Sequence, residues 1–143
     1  LPQFLDQPLQ AAGREWRASC VSMGNPHCVV FVPDVDSLKL EEIGPAFEHH
    51  PLFPERINTE FVQVLDRQHL KMRVWERGAA ETWACGTGAC ASFVAANLLG
   101  HCEDRATLHL RGGDLLIEKS SQNDHIYMTG PATFVFDGYT LLE

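Results

Sequence analysis

The chain has 143 residues, 45% of them hydrophobic and 21% charged, which is one domain's worth of ordinary globular composition with enough apolar material for a core without disulfide staples. Its formal net charge of −8 argues against nucleic acid or an anionic membrane surface as the main partner. A small anion is not excluded, because a nest of backbone amides acts locally against the global field.

After a polar lead-in, residues 15–22 predict a strand rich in Trp, Val and Cys, and Gly24-Asn25-Pro26 predicts a turn. The continuous apolar run 28–32 reads as a buried strand. Leu38, Ile43 and Phe47 among acidic residues predict a short helix within 37–50, its start blurred by Gly44-Pro45. Residues 51–58, with Pro51 and Pro54, read as loop. Two strands follow at 60–65 and 69–76; in the second, Leu70, Met72 and Val74 alternate with Lys71, Arg73 and Trp75.

Arg77-Gly78 breaks that strand and leads to a helix over about 87–99, stopped by Gly100. Apart from Ser92 and Asn97 this helix is small or apolar on every side, so other elements should enclose it. Strands at 106–111 and 114–119 flank Gly112-Gly113, a two-residue hairpin signal. Strands at 126–129 and 132–137 complete the series, separated by Gly130-Pro131. The predicted fold is α+β, with mostly antiparallel strands curled around one central apolar helix.

The five cysteines (20, 28, 85, 90 and 102) form no Cys-x-x-Cys pair. Their odd count and low density predict reduced thiols in a cytoplasmic protein, most of them acting as small buried hydrophobes. No stretch is long enough to span a bilayer, and no signal-peptide pattern opens the chain. The chain starts at Leu1, as expected of a processed protein or of a piece of a longer one.

Cys85 stands apart from the other thiols. In Ala84-Cys85-Gly86-Thr87-Gly88-Ala89 it sits where a glycine-flanked turn opens the apolar helix. The first amides of a helix have no intrahelical partners and carry the positive end of its dipole, so they draw a thiol toward thiolate and can hold a carboxylate. Gly86 and Gly88 would let a ligand approach the backbone. Cysteine is more often a structural thiol, but a purely structural one needs no glycine turn. Cys90, inside the helix, is expected in the core.

Other residues are weaker signals singly. In Met23-Gly24-Asn25-Pro26-His27-Cys28, Asn25 is either a turn former or a substrate contact, and His27 either a satisfied core histidine or a group that polarises a thiol. A metal site built from His27, Cys28, His49 and His50 lacks convincing ligand spacing, and no metal is predicted. Glu76-Arg77 would ordinarily be a surface ion pair. At a strand end near the cysteine loop, it offers Glu76 to an ammonium or a proton and Arg77 to a carboxylate. Asn58 alone would be read as a turn residue.

Taken in order, several motifs resemble the C-terminal half of the diaminopimelate epimerase family. They are Ser22-Met23-Gly24-Asn25-Pro26-His27-Cys28, His50-Pro51-Leu52-Phe53-Pro54-Glu55-Arg56-Ile57-Asn58, Arg73-Val74-Trp75-Glu76-Arg77-Gly78, Glu81-Thr82 and Ala84-Cys85-Gly86-Thr87-Gly88. Gly112-Gly113-Asp114-Leu115 and Met128-Thr129-Gly130-Pro131-Ala132 continue the series. The resemblance implies residues 1–143 as one catalytic domain of a two-domain, cofactor-independent enzyme that interconverts LL- and meso-diaminopimelate in lysine and cell-wall precursor synthesis. A cysteine from each domain would face the substrate α-carbon, one as base and the other as acid.

Carried over by motif, Cys85 is the C-terminal member of that pair, and Gly86 and Thr87 supply amides for the carboxylate at the reacting centre. Asn25, Asn58 and Arg77 would grip the distal end. Glu76 would meet the reacting amino group and, with His27, tune the thiols. Two departures stand out. Ala80 replaces the usual glycine, a change expected to be tolerated, and the N-terminal domain with its own Cys-Gly-Asn-Gly loop is absent. The expected partners are therefore diaminopimelate, that missing domain and, in many such enzymes, a second copy.

The chemistry is physically coherent. An amino-acid α-proton is a weak acid and no Schiff-base lysine motif is evident, so amides aimed at the carboxylate must stabilise the developing charge. An ordinary thiol is only a few per cent ionised at neutral pH and has to be tuned. Inversion needs one thiol on each face. The rival readings are a proline or hydroxyproline racemase on the same scaffold, a Cys/His nucleophilic enzyme attacking an acyl group, and a non-catalytic binding domain.

Overall fold

The computed structural model describes residues 4–142. Its strands are β1 (Gln7–Ala11), β2 (Arg14–Ser22), β3 (Pro26–Phe31), β4 (Asn58–Asp66), β5 (His69–Glu76), β6 (Ala80–Thr82), β7 (Arg105–Leu110), β8 (Gly113–Lys119) and β9 (Ile126–Thr129). Two helices, α1 (Leu40–Glu48) and α2 (Gly86–Leu98), complete an α+β, sheet-dominated fold. The strands form one sheet in the order β1-β2-β3-β4-β5-β7-β8-β9, with β6 paired to β5 off that path.

Most neighbours are antiparallel, but β3–β4 and β5–β7 run parallel. Parallel neighbours need a crossover connection, and each helix supplies one. The helices lie on opposite faces because strand side chains alternate. Val29, Val62 and Val74 join Ala89, Phe93 and Ala96 of α2 in one core. Cys28, Val30, Phe61 and Trp75 join Leu40 and Phe47 of α1 in the other.

Several expectations need correction. The polar lead-in contains a strand, β1, which buries Leu9 and Ala11 by pairing with β2. Residues 132–137 form no strand: the side chains of Phe134, Val135 and Phe136 are at least 80% exposed, and a strand requires a neighbour to pair with. Leu110 pairs with Gly113, so the hairpin turn is Arg111-Gly112, one residue earlier than expected. α2 touches seven strands, yet Cys90 and Val94 are only half-buried and Leu98 is 54% exposed. One stripe of this apolar helix is thus uncovered among the described residues.

Gly44 and Pro45 lie inside α1 and do not interrupt it. A Cβ at Gly44 would fall 2.2 Å from Trp75 Cδ2, so the missing side chain lets the helix lie flat on the indole. Ala80 adopts φ 60°, the left-handed region in which an L side chain is strained.

Gly44→Ala should therefore destabilise the fold by about 1–3 kcal/mol through overpacking, with altered Trp75 fluorescence. An unchanged denaturation midpoint would contradict this packing.

Candidate active site

Strand direction gathers the predicted residues at one end of the sheet. Ser22 pairs with Pro26, His27 with Asn58, and Thr59 with Trp75. The β2–β3 turn carrying Asn25, the starts of β3 and β4, and the end of β5 carrying Glu76 and Arg77 are consequently neighbours. The second edge of β5 is split, with β7 on Leu70 and β6 on Trp75. The chain leaves β6 through Trp83 and Ala84 and begins α2 at this same end. Gly112 N–H donates to Trp83 O at 2.9 Å, so the β7–β8 turn buttresses the cysteine loop.

Cys85 is the N-cap of α2 in extended backbone conformation, and its Sγ accepts the Gly88 N–H at 3.3 Å. It takes the place of the usual Ser or Asp cap. Thr87 Oγ1 lies 3.6 Å from Sγ and receives Asn25 Nδ2–H at 3.3 Å. Gly86 and Thr87 present the first two helix amides, which have no intrahelical carbonyl.

His27 is fully buried and does not reach the thiol directly. Its Nδ1 lies 2.7 Å from Glu60 Oε1 and its Nε2 lies 3.1 Å from Asn25 Oδ1. Cys28 points to the opposite core, away from His27. Glu76 accepts a 2.5 Å bond from the Thr82 hydroxyl, while Arg77 is exposed and reaches Glu55 O at 3.3 Å. Asn58 ties two loops together: its Nδ2–H donates to Pro26 O, and its Oδ1 accepts Arg77 N–H at 2.8 Å.

A family profile described as "Diaminopimelate epimerase" matches residues 19–135. The chain belongs to this family. A diaminopimelate epimerase of Picosynechococcus sp. is 59% identical over 98% of the chain and 50% of its own length. Those of Nostoc punctiforme and Synechocystis sp. are 62% and 63% identical over 95% of the chain and 49% of their lengths. The chain thus spans about half the length of the curated relatives it matches. A Bacillus anthracis protein of the PhzF phenazine biosynthesis family shares the fold, with a TM-score of 0.55 at 24% identity over 88% of the chain and 36% of its own length.

In this member of the diaminopimelate epimerase family the electrostatics of Cys85 differ from the sequence expectation. Burial pushes the thiol above its ordinary value, and the nearby Glu60 and Glu76 carboxylates push it the same way. Bonds from Thr87 and Gly88 pull it down without overcoming them. The role of Gly88 also differs: a Cβ there would fall 2.6 Å from Glu60 Oε1 and 3.1 Å from Cys85 Sγ. Gly88 clears space for these two side chains.

Two acids escaped the sequence reading. Glu60 lies in the part of β4 that is buried on both faces, on the side shared with Val62, so no alternation in the sequence marks it. Glu48, on α1, has no sequence signal either. Its carboxylate accepts Trp75 Nε1–H, Arg56 and Gly78 N–H at 2.9–3.0 Å, clamping both ends of the segment that carries Glu76 and Arg77. Burial acts to raise the Glu48 carboxyl, but these bonds and the charges of His49 and Arg56 hold it below the usual value.

A carboxylate depressed in the folded state stabilises above its unfolded pKa of about 4.3 and loses that contribution as pH falls through the lower folded value. Glu48→Gln should cost about 1–3 kcal/mol at pH 7, and the difference from wild type should shrink below about pH 4. Urea midpoints at the two pH values would check this; a gap that stays constant would rule out the clamp as charged.

Proposed function

We propose that this chain is the C-terminal catalytic half of a cytoplasmic, cofactor-independent diaminopimelate epimerase, with Cys85 as one of two proton carriers at the substrate α-carbon. The observation that carries the reading is the placement of Cys85 Sγ on the first turn of α2, beside Gly86 and Thr87 amides able to hold the reacting carboxylate. The opposite thiol would come from an N-terminal half. Half-length coverage of the relatives supports this, as do the exposed Trp83 beside the cysteine loop and the exposed Phe134, Phe136, Tyr139 and Leu141. The sheet is proposed to curl around α2, whose uncovered stripe faces the added domain. A homodimer of the completed protein belongs to the same proposal.

In the reaction, a thiolate on one face takes the α-proton and the thiol on the other face delivers one to the carbanion. The raised pKa of Cys85 suits it to the donating role; in the reverse direction the two sulfurs exchange roles. Asn25, Asn58 and Arg77 would hold the far end of the substrate. Glu76 would receive the reacting ammonium and, with His27, set the charge around the thiols. A polar grip of this kind favours diaminopimelate over proline, whose side chain offers it nothing.

Combined with the N-terminal half of the Synechocystis sp. relative, the chain should invert LL-diaminopimelate in D2O and place one deuterium at the inverted Cα. The chain alone should be inert. Cys85→Ser should lower turnover at least about 10²-fold, the scale of a lost acid–base group. Full activity of the serine variant, robust turnover by the chain alone, a trapped acyl-enzyme or preferential proline exchange would each refute the reading.

A further inference from the structure

Among the described residues Glu60 is the fully buried acid next to the cysteine loop, and burying a carboxylate with half its hydrogen-bonding capacity unused is costly. Its Oε1 contacts His27 Nδ1 at 2.7 Å, and both side chains are 0% exposed. Its Oε2 has no partner among the described residues. The carboxylate and Cys85 Sγ converge on the space left by the absent Gly88 side chain, at 2.6 and 3.1 Å from where a Cβ would lie.

The protons of this cluster can be counted. Asn25 Nδ2 donates to Thr87 Oγ1, which turns the amide oxygen toward His27 Nε2. An amide oxygen only accepts, so Nε2 carries a hydrogen. The Nδ1···Oε1 contact then needs a second proton between a ring nitrogen and a carboxylate oxygen. Wherever that proton sits, the His27–Glu60 pair is neutral overall. Burial favours this arrangement by raising the Glu60 carboxyl, against the lowering influence of His27 and with a further push from Glu76.

We propose that Glu60 is a positioning residue of this site: by the proton it shares with His27 Nδ1 it fixes the ring with Nε2–H on Asn25. Asn25 in turn sets the Thr87 hydroxyl beside Cys85. The charged and titratable groups around the pair are Cys28 from β3, Glu76 from β5 and Cys85 from α2. A neutral pair adds no net negative charge beside Cys85 when that sulfur is ionised. The catalytic consequence rests on the epimerase reading above; the proton arrangement does not.

Two variants and one spectrum test this. Glu60→Gln can donate N–H to Nδ1 and preserve the ring tautomer. Glu60→Leu keeps the volume, removes the bond and, by removing a buried acid, need not destabilise the fold. In long-range 1H–15N spectra of the 15N-labelled chain, His27 Nε2 should carry a hydrogen in wild type and in the glutamine variant, whereas the leucine variant should populate both neutral tautomers. In the protein completed with an N-terminal half, Glu60→Leu should lower kcat about 10–100-fold, the scale seen when an orienting partner of a histidine is lost. KM should change little, and Glu60→Gln should recover to within a few-fold of wild type.

A wild-type His27 protonated on Nδ1 with a bare Nε2 would overturn the proposal. So would a fully active leucine variant, which would leave the epimerase reading intact. Should the completed protein show no epimerase activity at all, that reading falls, and the His27 spectrum alone then decides whether Glu60 holds the ring as described.

Discussion

The structure turns on the space at Gly88. A thiol capping the helix and a buried carboxylate from the sheet both need the volume that any side chain there would occupy. Because that volume is open, Cys85 Sγ can accept the Gly88 N–H while Glu60 reaches His27 beneath it. The first turn of α2 is tied to the β2–β3 turn by the bond from Asn25 to the Thr87 hydroxyl, next to the Gly86 and Thr87 amides. The second glycine of the loop gives room for the close approach of backbone and carboxylate.

Everything else at the site supports that turn from outside. The split edge of β5 lets the chain leave the sheet at the end where Glu76 and Arg77 stand. Glu48 clamps Trp75 and Gly78 from the other face of the sheet, and Asn58 ties Arg77 to the β2–β3 turn. Arg73 and Arg111 both pair with Glu81, which braces β6 directly before the cysteine loop. The candidate site is thus held by hydrogen bonds between loops whose ends the strand registers already bring together.

Legibility followed the physics. The alternation in β5 and the apolar run of β3 showed in the sequence because burial on one or both faces leaves a pattern. Cys85 showed because glycines around a helix start are unusual. Glu60 was hidden by its own strand: a single charge among apolar residues looks like a surface position until the inward face is known. Glu48 was hidden because its partners, Trp75 and Gly78, are brought near only by tertiary folding. The tail at 132–137 has strand composition without a neighbour, so composition misled. For Cys85 the sequence showed the helix start but not the burial of the thiol, which acts in the opposite direction to the cap.

On the proposed reading, Cys85 is a reachable thiol that keeps its proton at neutral pH and is suited to give it away. Its titration can be read directly from the rate of iodoacetamide alkylation against pH, followed peptide by peptide by mass spectrometry on the folded chain. Cys85 should be modified with an inflection above the ordinary thiol value of about 8.5. An inflection clearly below that value, with thiolate already present at neutral pH, would contradict it.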